Sequence, residues 1–318
     1  MCYRYTDLKP IGFGTFGLVC SANDKVERSK VAIKKIAQPF RSKETSKRSY
    51  REMKLLNSMQ HGNVINLRNV FISPSEDLYL VTELLDADLQ QVLRQGKVQD
   101  EYALYFFYQI ARGLKYIHSA GVIHRDLKPN NILINSQCDV KLCDFGLARI
   151  NSTRSMTGYI STRYYRAPDV MLAWCHYNTS ADIWSAGCIL AEMLLGRVLF
   201  EGKSHIHQFS VITELLGTPD EEILEEAGEK TKRFVRQLQP RSRVPFSKAL
   251  DIEDSLATDL LERVLVYSSE KRLSASQILQ HPYLEKYHDS TDEPDAAKEF
   301  LIPPFDTSLP IDKWRKIM

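Results

Sequence analysis

The chain has 318 residues, of which 43% are hydrophobic and 26% are charged, and its formal net charge is +2 at pH 7. The composition is that of an ordinary globular protein, and the length predicts two modules of unequal size. So small a net charge argues against a dedicated nucleic-acid binder. The longest apolar stretch, residues 183–195, is too short to span a bilayer, and the first residues contain no hydrophobic signal region. We therefore expect neither direct nucleic-acid binding nor a membrane partner.

The first predicted elements are short strands. Residues 5–85 contain segments rich in apolar and β-branched residues, such as 31–33 and 78–81, which are typical of strands. One helix is predicted among them, at 43–60. Its apolar stripe recurs every third residue and consists of Tyr50, Met53, Leu56 and Met59.

After Asp88 the pattern becomes helical. Asp100 is the predicted N-cap of a long helix that ends near Gly121, and a second helix is predicted at 180–196. The six cysteines form no C-x-x-C pair and no zinc spacing, so we assign them no chemistry.

The first motif is a glycine-rich loop, Gly12-Phe13-Gly14-Thr15-Phe16-Gly17, followed by Leu18 and Val19. Glycines let main-chain N–H groups approach phosphate oxygens because no Cβ blocks the approach. The same spacing occurs in ordinary turns and in dinucleotide-binding loops. However, a dinucleotide-binding loop is followed by a helix, whereas residues 18–20 continue as a strand. The motif therefore favours a flap over the phosphates of a nucleotide.

The second motif, Val31-Ala32-Ile33-Lys34, follows the glycine-rich loop by the length of one hairpin. A lysine at a strand end usually reaches for solvent. At this distance from the loop, Lys34 instead suits a lysine that holds the α- and β-phosphates. Such a lysine needs a carboxylate partner, and Glu52 on the predicted helix is the candidate, although alone it would be interpreted as a solvated charge.

The third motif is His124-Arg125-Asp126-Leu127-Lys128-Pro129-Asn130-Asn131. Asp126 can orient an attacking hydroxyl and accept its proton, and Lys128 can neutralise charge on a transferred phosphoryl group. Asn131 offers an oxygen to a metal ion. The fourth motif, Asp144-Phe145-Gly146, supplies a carboxylate for Mg²⁺, which prefers carboxylate oxygens together with phosphates.

In this order, the four motifs resemble those of the eukaryotic protein kinases, over residues 5–284. The resemblance implies an α+β, bilobal kinase fold, with a β-rich small N-lobe containing one key helix (5–85) and a mainly helical large C-lobe (86–284). It also implies ATP and Mg²⁺ as cofactors, and a hinge at 82–85. The implied ATP-binding residues are Ile11, Gly12, Phe13, Gly14, Thr15, Phe16, Gly17, Leu18, Val19, Lys34, Glu52, Thr82, Leu85 and Asp88. The implied catalytic residues are Asp126 and Lys128, and the implied metal ligands are Asn131 and Asp144.

A Thr-Gly-Tyr sequence at 157–159, followed by Ser-Thr-Arg-Tyr-Tyr-Arg at 161–166, narrows the resemblance. It is similar to the dual phosphorylation switch of MAP kinases, above all the stress-activated subgroup and its fungal osmostress members. The similarity implies a serine/threonine kinase of an osmotic-stress cascade that is activated when an upstream dual-specificity MAP kinase kinase phosphorylates Thr157 and Tyr159. It also implies protein substrates with proline after the target residue.

Arginines are the expected partners of the two phosphates, because each phosphate adds nearly two negative charges and three acceptor oxygens. The candidates are Arg48, Arg51, Arg125 and Arg149 for phospho-Thr157, and Arg163 and Arg166 for phospho-Tyr159.

The same resemblance assigns an insert at about 217–254 and a C-terminal extension at 285–318. Within the extension, Asp289, Asp292 and Glu293 resemble a docking site for the basic motifs of activators, substrates and phosphatases. The alternative interpretation is a solvated acidic tail.

Three further residues resemble structural positions of the family. Asp182 corresponds to a carboxylate that braces the catalytic loop, and Arg272 to the partner of the glutamate in the family's Ala-Pro-Glu motif. Because Asp169 stands in place of that glutamate and is one methylene shorter, we expect a longer or weaker ion pair.

The sequence leaves three alternatives to an active serine/threonine protein kinase. A catalytically weak kinase-fold scaffold predicts the loss of Lys34, Asp126 or Asp144, all of which are present. A small-molecule kinase has no use for a Thr-Gly-Tyr switch, and a tyrosine kinase is disfavoured by Lys128. We expect a monomer that works in the cytoplasm and nucleus.

Overall fold

The computed structural model describes residues 4–14, 17–150, 163–171, 178–225, 227–300 and 309–318. Within them, the chain begins with a five-stranded antiparallel sheet. Its strands are β1 (Tyr5–Gly14), β2 (Gly17–Asp24), β3 (Ser29–Ile36), β4 (Leu67–Ile72) and β5 (Leu78–Glu83). Their order in space is β1-β2-β3-β5-β4. Lys34 on the central strand lies between Val19 of β2 and Leu80 of β5, so the sheet holds it beside the glycine-rich hairpin.

Helix α1 (Lys43–Ser58) lies between β3 and β4 in the chain. The side chain of Ser42 caps it by accepting a hydrogen bond from the main-chain N–H of Thr45 at 3.1 Å. The whole predicted apolar stripe is buried. The helix ends two residues before the predicted end, because the backbone of Met59 is extended.

The rest of the described chain is mainly helical. Its α-helices are α2 (Leu89–Leu93), α3 (Asp100–Ser119), α4 (Pro168–Met171), α5 (Ser180–Leu195), α6 (His205–Leu216), α7 (Glu221–Leu224), α8 (Glu229–Arg236), α9 (Phe246–Ala249), α10 (Ser255–Val264), α11 (Ala275–Leu279) and α12 (Ile311–Ile317). Helices α3 and α5 pack against each other at the centre of this lobe. Helix α5 is buried from Ala181 to Leu194 and ends at Gly196, whose left-handed backbone (φ 69°) suits glycine.

Short strands shape the surface of the large lobe that faces the sheet. They are β6 (Ala87–Asp88), β7 (Val122–Ile123), β8 (Ile132–Ile134), β9 (Val140–Leu142) and β10 (Arg149–Ile150). Strands β6, β8 and β9 form one small sheet, and β7 pairs with β10. Asn131 directly precedes β8 and Asp144 closely follows β9, so the antiparallel pairing of these strands brings the two residues to one end of the small sheet.

The start of α3 differs from the prediction. Gln99 occupies the N-cap position without a side-chain hydrogen bond, and Asp100 is the first helical residue. As a residue of the first turn, the Asp100 carboxylate lies at the positive end of the helix, 3.0 Å from Lys97 Nζ.

The C-terminal helix α12 packs on α1 of the small lobe. Trp314 is buried, and its ring centroid lies 5.5 Å from that of Tyr50. Arg315 forms two 2.9 Å hydrogen bonds with the carboxylate of Glu76 in the loop between β4 and β5. The end of the chain therefore contacts the small lobe at both α1 and the β4–β5 loop.

The predicted α+β, bilobal architecture is confirmed. No helix among the described residues combines the length and the apolar content needed to cross a membrane.

Candidate active site

Lys34 lies between two carboxylates at the interface of the lobes. Its Nζ is 2.6 Å from Oε1 of Glu52 on α1 and 2.9 Å from Oδ1 of Asp144. The left-handed backbone of Asp144 (φ 61°), unusual for a residue other than glycine, directs its carboxylate toward Lys34. The structure thus brings together three residues that are far apart in the sequence.

The cluster stabilises its own charges. Burial alone would lower the pKa of Lys34, but Glu52 and Asp144 outweigh this effect and hold that pKa well above its ordinary value. Burial alone would raise the pKa of Asp144, but the Lys34 ammonium holds that pKa below its usual range. The lysine is therefore a cation and Asp144 an anion at neutral pH.

The catalytic loop brings the next three residues together. Asp126 is 8% exposed, and its Oδ2 lies 2.8 Å from Lys128 Nζ. The amide nitrogen of Asn131 donates to the main-chain oxygen of Asp126 at 2.7 Å and to its Oδ2 at 3.2 Å. Asp126 therefore has a fixed carboxylate with a cation beside it, which suits a group that accepts a proton from a bound hydroxyl.

Asp182 on α5 braces this loop, as the resemblance implied. Its buried carboxylate accepts hydrogen bonds from the main-chain N–H groups of His124 at 2.7 Å and Arg125 at 2.8 Å, and it lies 3.0 Å from Nε2 of His118. Burial would raise the pKa of Asp182, but these partners hold it below its usual value. Sequence reasoning missed His118, because it is distant from the loop in the sequence and carries no motif.

The donors in the cleft fit Mg²⁺. The amide nitrogen of Asn131 is bound to Asp126, which leaves the amide oxygen available for a cation. The main-chain oxygen of Asn131 accepts a 2.9 Å hydrogen bond from the N–H of Cys143, directly before Asp144, so the two predicted ligands are held on neighbouring segments. One carboxylate and one amide oxygen, completed by phosphate oxygens, form a donor set that Mg²⁺ commonly uses.

The glycine-rich hairpin also fits a phosphate group. A Cβ at Gly17 would lie 1.7 Å from the main-chain oxygen of Lys35, so the packing of the sheet requires this glycine. A Cβ at Gly12 would meet no atom of the described residues within 4 Å, so their packing does not require glycine there and leaves space for a ligand. Thr15 and Phe16 lie outside the described residues, and the backbones of Phe13 and Gly14 belong to β1.

The other predicted ATP-binding residues line the adjoining surfaces. Ile11 is half exposed on β1, and Leu18 and Val19 are half-buried on β2. Thr82 and Leu85 are half-buried at the junction of the lobes. Asp88 caps α2, with Oδ1 2.8 Å from the N–H of Gln91.

The predicted phosphate-binding arginines lie in two groups. Arg48 projects from α1 toward the active site, since a Cβ placed on Gly146 would lie 3.2 Å from its Nη2 and equally close to Glu52. Arg51 lies on the same helix, Arg125 is 9% exposed in the catalytic loop, and Arg149 donates to the main-chain oxygen of Ala148 at 2.8 Å.

The second group, Arg163 and Arg166, lies near the start of α6. Arg163 donates to the main-chain oxygen of Lys203 at 3.0 Å. Burial, followed by the charges of Arg166 and Arg163, lowers the pKa of His205, which indicates that both arginines lie near its ring. Thr157 and Tyr159 lie outside the described residues.

The acidic segment divides into exposed and buried carboxylates. Asp289 is exposed and accepts hydrogen bonds from Thr291, whose N–H and hydroxyl lower the pKa of Asp289. Asp292 remains 67% exposed although its Oδ1 lies 2.7 Å from Nη2 of Arg112 on α3. The structure does not bring Glu293 to this surface, because its carboxylate is buried 2.9 Å from Nδ1 of His288.

The expectation of a longer pair between Asp169 and Arg272 was wrong. The guanidinium contacts the carboxylate directly, and both side chains are buried. Arg272 also donates to the main-chain oxygens of Val266, Tyr267 and Ser180, which hold it close enough to reach the shorter side chain.

Comparison with known proteins agrees with this geometry. A family model described as the protein kinase domain matches residues 5–284. The chain is 56% identical over 316 residues to mitogen-activated protein kinase HOG1 of Arthrobotrys oligospora, covering 99% of this chain and 90% of the relative. It is 55% identical over 316 residues to hog-1 of Neurospora crassa and to sakA of Aspergillus fumigatus, covering 99% of this chain and 88% and 86% of those relatives. The chain therefore belongs to the protein kinase family and, within it, to the serine/threonine kinases known as mitogen-activated protein kinases.

Proposed function

We propose that this MAP kinase acts in an osmotic-stress cascade, phosphorylates serine or threonine that precedes proline, and is activated by phosphorylation of Thr157 and Tyr159. Protein kinases in general use ATP and Mg²⁺. One observation carries the phosphoryl-transfer part of the proposal: Lys34 contacts Asp144 directly, and Asn131 links Asp126 to the segment that contains Asp144.

Each residue of the cleft has a separate task in this proposal. Bound Mg-ATP supplies the phosphoryl group that is transferred. Lys34 and the glycine-rich hairpin bind phosphates, while Asn131 and Asp144 hold Mg²⁺. Asp126 orients the substrate hydroxyl and accepts its proton, and Lys128 balances negative charge beside it.

Activation would depend on arginine side chains close to these residues. Phosphate on Thr157 would bind arginines that include Arg48 on α1 and Arg125 in the catalytic loop, and so join the two lobes. The position of Arg48 beside Glu52 supports this role, because a phosphate that binds Arg48 also fixes the helix that carries the partner of Lys34. Phospho-Tyr159 would bind Arg163 and Arg166.

The cellular part of the proposal rests on the relatives, which are named HOG1 and sakA. An upstream dual-specificity kinase, protein substrates and phosphatases would bind the exposed carboxylates Asp289 and Asp292 through basic motifs. We further propose a monomer in the cytoplasm and nucleus, which imaging of a tagged protein before and after osmotic shock would test.

The test is phosphoryl transfer to a Ser-Pro peptide, measured before and after a dual-specificity kinase has phosphorylated the protein. We expect activity to rise in the wild type but not in Thr157→Ala or Tyr159→Phe, with mass spectrometry confirming the two sites. Asp126→Asn should retain ATP binding and lose about 10²-fold or more in turnover. Full turnover in Asp126→Asn would refute the assignment of Asp126 as the catalytic base. No turnover in the dually phosphorylated wild type would favour the alternative of a catalytically weak kinase-fold scaffold.

A further inference from the structure

A cavity of about 230 Å³ lies in the large lobe, where the starts of α3 and α10 meet the end of α5. None of its lining residues belongs to the catalytic, nucleotide-binding or docking residues described above. Sites for drug-sized ligands occupy about 300–1,000 Å³. The smaller volume suits a ligand no larger than one long side chain.

Tyr283 supplies the cavity with a hydroxyl that lacks a protein partner. The residue lines the cavity and is only 6% exposed. Its hydroxyl is neither enclosed by protein nor hydrogen-bonded to any residue that the structure describes, so it faces the cavity. Burial, followed by the charges of Asp254 and Asp100, raises the pKa of Tyr283 far above its ordinary value, which indicates that both carboxylates lie near the hydroxyl. A hydroxyl in such a place needs a partner from outside the protein.

The charges around the cavity favour a cation over an anion. Four carboxylates and two ammonium groups line it, which leaves a formal charge of −2. The ammonium group of Lys97 already pairs with Asp100, whose Oδ1 lies 3.0 Å away. That of Lys286 pairs in the same way with Glu101 at 2.6 Å. An anionic ligand would therefore meet unbalanced negative charge, whereas a cation would be attracted.

The other two carboxylates of the cavity are available to such a cation. Glu253 is exposed and forms no ion pair within the described part of the chain. Asp254 caps α10 through Oδ1 alone, which accepts from the N–H groups of Leu256 at 2.8 Å and Ala257 at 3.2 Å. Its Oδ2 therefore retains lone pairs for a ligand beside the hydroxyl of Tyr283.

The apolar part of the lining suits a hydrocarbon stem. It consists of Leu104, Leu194 and Ile252, of which Leu194 is buried and the other two are half-buried. An alkyl chain can pack on such side chains while its charged end remains at the polar rim. An ammonium group has three donors and no acceptor, which matches carboxylate oxygens and the lone pairs of a tyrosine hydroxyl.

We propose that this cavity binds a primary alkylammonium group, whose stem contacts the three apolar side chains and whose charge binds Glu253, Asp254 and the hydroxyl of Tyr283. Free aliphatic amines and lysine side chains share this group. The site lies apart from the residues of phosphoryl transfer, so its test does not depend on kinase activity.

The test is a titration of the full chain with n-pentylamine, followed by ligand-observed NMR, with n-pentanoate as the matched anion. Nα-acetyl-lysine methylamide carries the same ammonium group on a peptide backbone and so distinguishes a lysine side chain from a free amine. The variants are Tyr283→Phe, which removes the hydroxyl, and Asp254→Asn, which removes the charge but keeps a residue that caps helices well.

Each variant has a matched control outside the cavity. Tyr267→Phe also removes a buried hydroxyl, but this one donates to the main-chain oxygen of Gly217 at 2.7 Å. Asp220→Asn also changes a helix cap, since Asp220 Oδ1 accepts from the N–H of Ile223 at the start of α7. Neither Tyr267 nor Asp220 lines the cavity.

We expect n-pentylamine to bind at about millimolar concentration and n-pentanoate not to bind. Tyr283→Phe and Asp254→Asn should each weaken the binding of n-pentylamine about tenfold, which is the effect of one hydrogen bond to a charged group. Both controls should keep the wild-type affinity. Tyr283→Phe should also keep the thermal midpoint, because its hydroxyl has no partner among the described residues, whereas Tyr267→Phe should lower it.

Unchanged affinity for n-pentylamine in Tyr283→Phe would overturn the proposal. Equally tight binding of n-pentanoate would overturn it too, as would an equal loss of affinity in the two controls. If Asp254→Asn unfolds, Tyr283→Phe decides alone. Equal affinity for n-pentylamine and the lysine derivative would assign the cavity to lysine side chains, and binding of n-pentylamine alone would assign it to free amines.

Discussion

At the scale of single residues, the active site depends on the small volume of Gly146. A Cβ at this position would lie 3.2 Å from Arg48 Nη2 and Glu52 Oε2, and 3.3 Å from Asp144 Oδ1. We expect Gly146→Ala to displace these charged groups by a few tenths of an ångström and to lower kcat/KM about tenfold, because phosphoryl transfer depends on their positions. Steady-state kinetics would measure this. Gly228→Ala is the control, since a Cβ there meets no atom of the described part of the chain within 4 Å. Equal loss in both variants would contradict the explanation.

His61 is a second residue with a local effect, in this case on stability. Its ring stacks on Tyr116 with centroids 4.7 Å apart, and Nδ1 accepts from the N–H of Asn63. Burial, followed by the charges of Arg112 and Lys141 and opposed by Asp292, lowers the pKa of His61 to about 4. The histidine of the unfolded chain, with a pKa of about 6.5, binds a proton more readily than the folded one. Protonation therefore favours the unfolded chain, so the free energy of unfolding is highest above pH 6.5 and decreases as the pH falls toward 4.

We expect the free energy of unfolding to decrease when the pH is lowered from about 7.5 to about 5.5, and to decrease by about 1 kcal/mol more in the wild type than in His61→Asn. This figure is reduced to account for the partial exposure of the ring to water. Asparagine keeps an acceptor for Asn63 and does not titrate. Denaturant titrations at both pH values measure the difference. His207→Asn is the control, because this exposed ring also accepts one main-chain N–H, that of Lys203. Parallel pH profiles for the wild type and His61→Asn would exclude His61 as the source.

At the scale of elements, α1 depends on a helix from the other end of the chain. Trp314 is 1% exposed against Tyr50, so Trp314→Ala should remove about 3 kcal/mol of packing and loosen α1. Hydrogen exchange measured by mass spectrometry should become faster in α1 and remain unchanged in α5. Ile317→Ala, at a position that is 39% exposed on α12, is the control and should change neither. Faster exchange in α12 alone would show that α1 does not need this support.

The elements themselves were largely predictable from the sequence. The stripe of α1 and the glycine that ends α5 are local patterns, and local patterns determine much of where a helix begins and ends. Asp100 shows the limit of this reasoning, because a local pattern fixes a helix start only to within one or two residues. Glu293 shows the same limit of sequence reasoning more clearly. A run of acidic residues predicts a solvated surface, and only the fold brings Lys115 close enough to bind the main-chain oxygen of Glu293 at 2.5 Å.

The site was predictable to a similar degree. The motifs identified Lys34, Asp126 and Asp144, because their spacing reflects one chemical task. The contact between His118 and Asp182 carries no motif, since it joins residues 64 positions apart through side chains that are common in any helix. Such contacts follow from packing and become visible only in the structure.

At the scale of the whole molecule, the lobes are joined at several separate places. Lys34 and Asp144 meet in the cleft, and Glu83 of β5 lies 3.2 Å from Lys141 of β9. Behind the cleft, the N–H of Ile65 donates to the main-chain oxygen of Leu142 at 2.9 Å. The acidic segment is fixed to the same rear face, through the bond between Asp292 and Arg112. A partner bound to that segment would thus lie against the large lobe beside α3.

The division of this segment into exposed and buried carboxylates leads to the last prediction. Asp289→Asn and Asp292→Asn should each weaken the binding of a basic docking peptide by about twofold to fivefold, and each should reduce its dependence on salt, because exposed ion pairs are weak and screened. Glu293→Gln should instead lower the free energy of unfolding, since a neutral amide is a weaker partner than the buried carboxylate for His288 Nδ1 and for the main-chain N–H of Asp289. Fluorescence polarisation at two salt concentrations and thermal unfolding measure the two effects. Asp251→Asn, an exposed carboxylate between α9 and α10, is the matched control and should change neither. If Glu293→Gln weakened the peptide as much as Asp289→Asn and left stability intact, Glu293 would belong to the docking surface in solution.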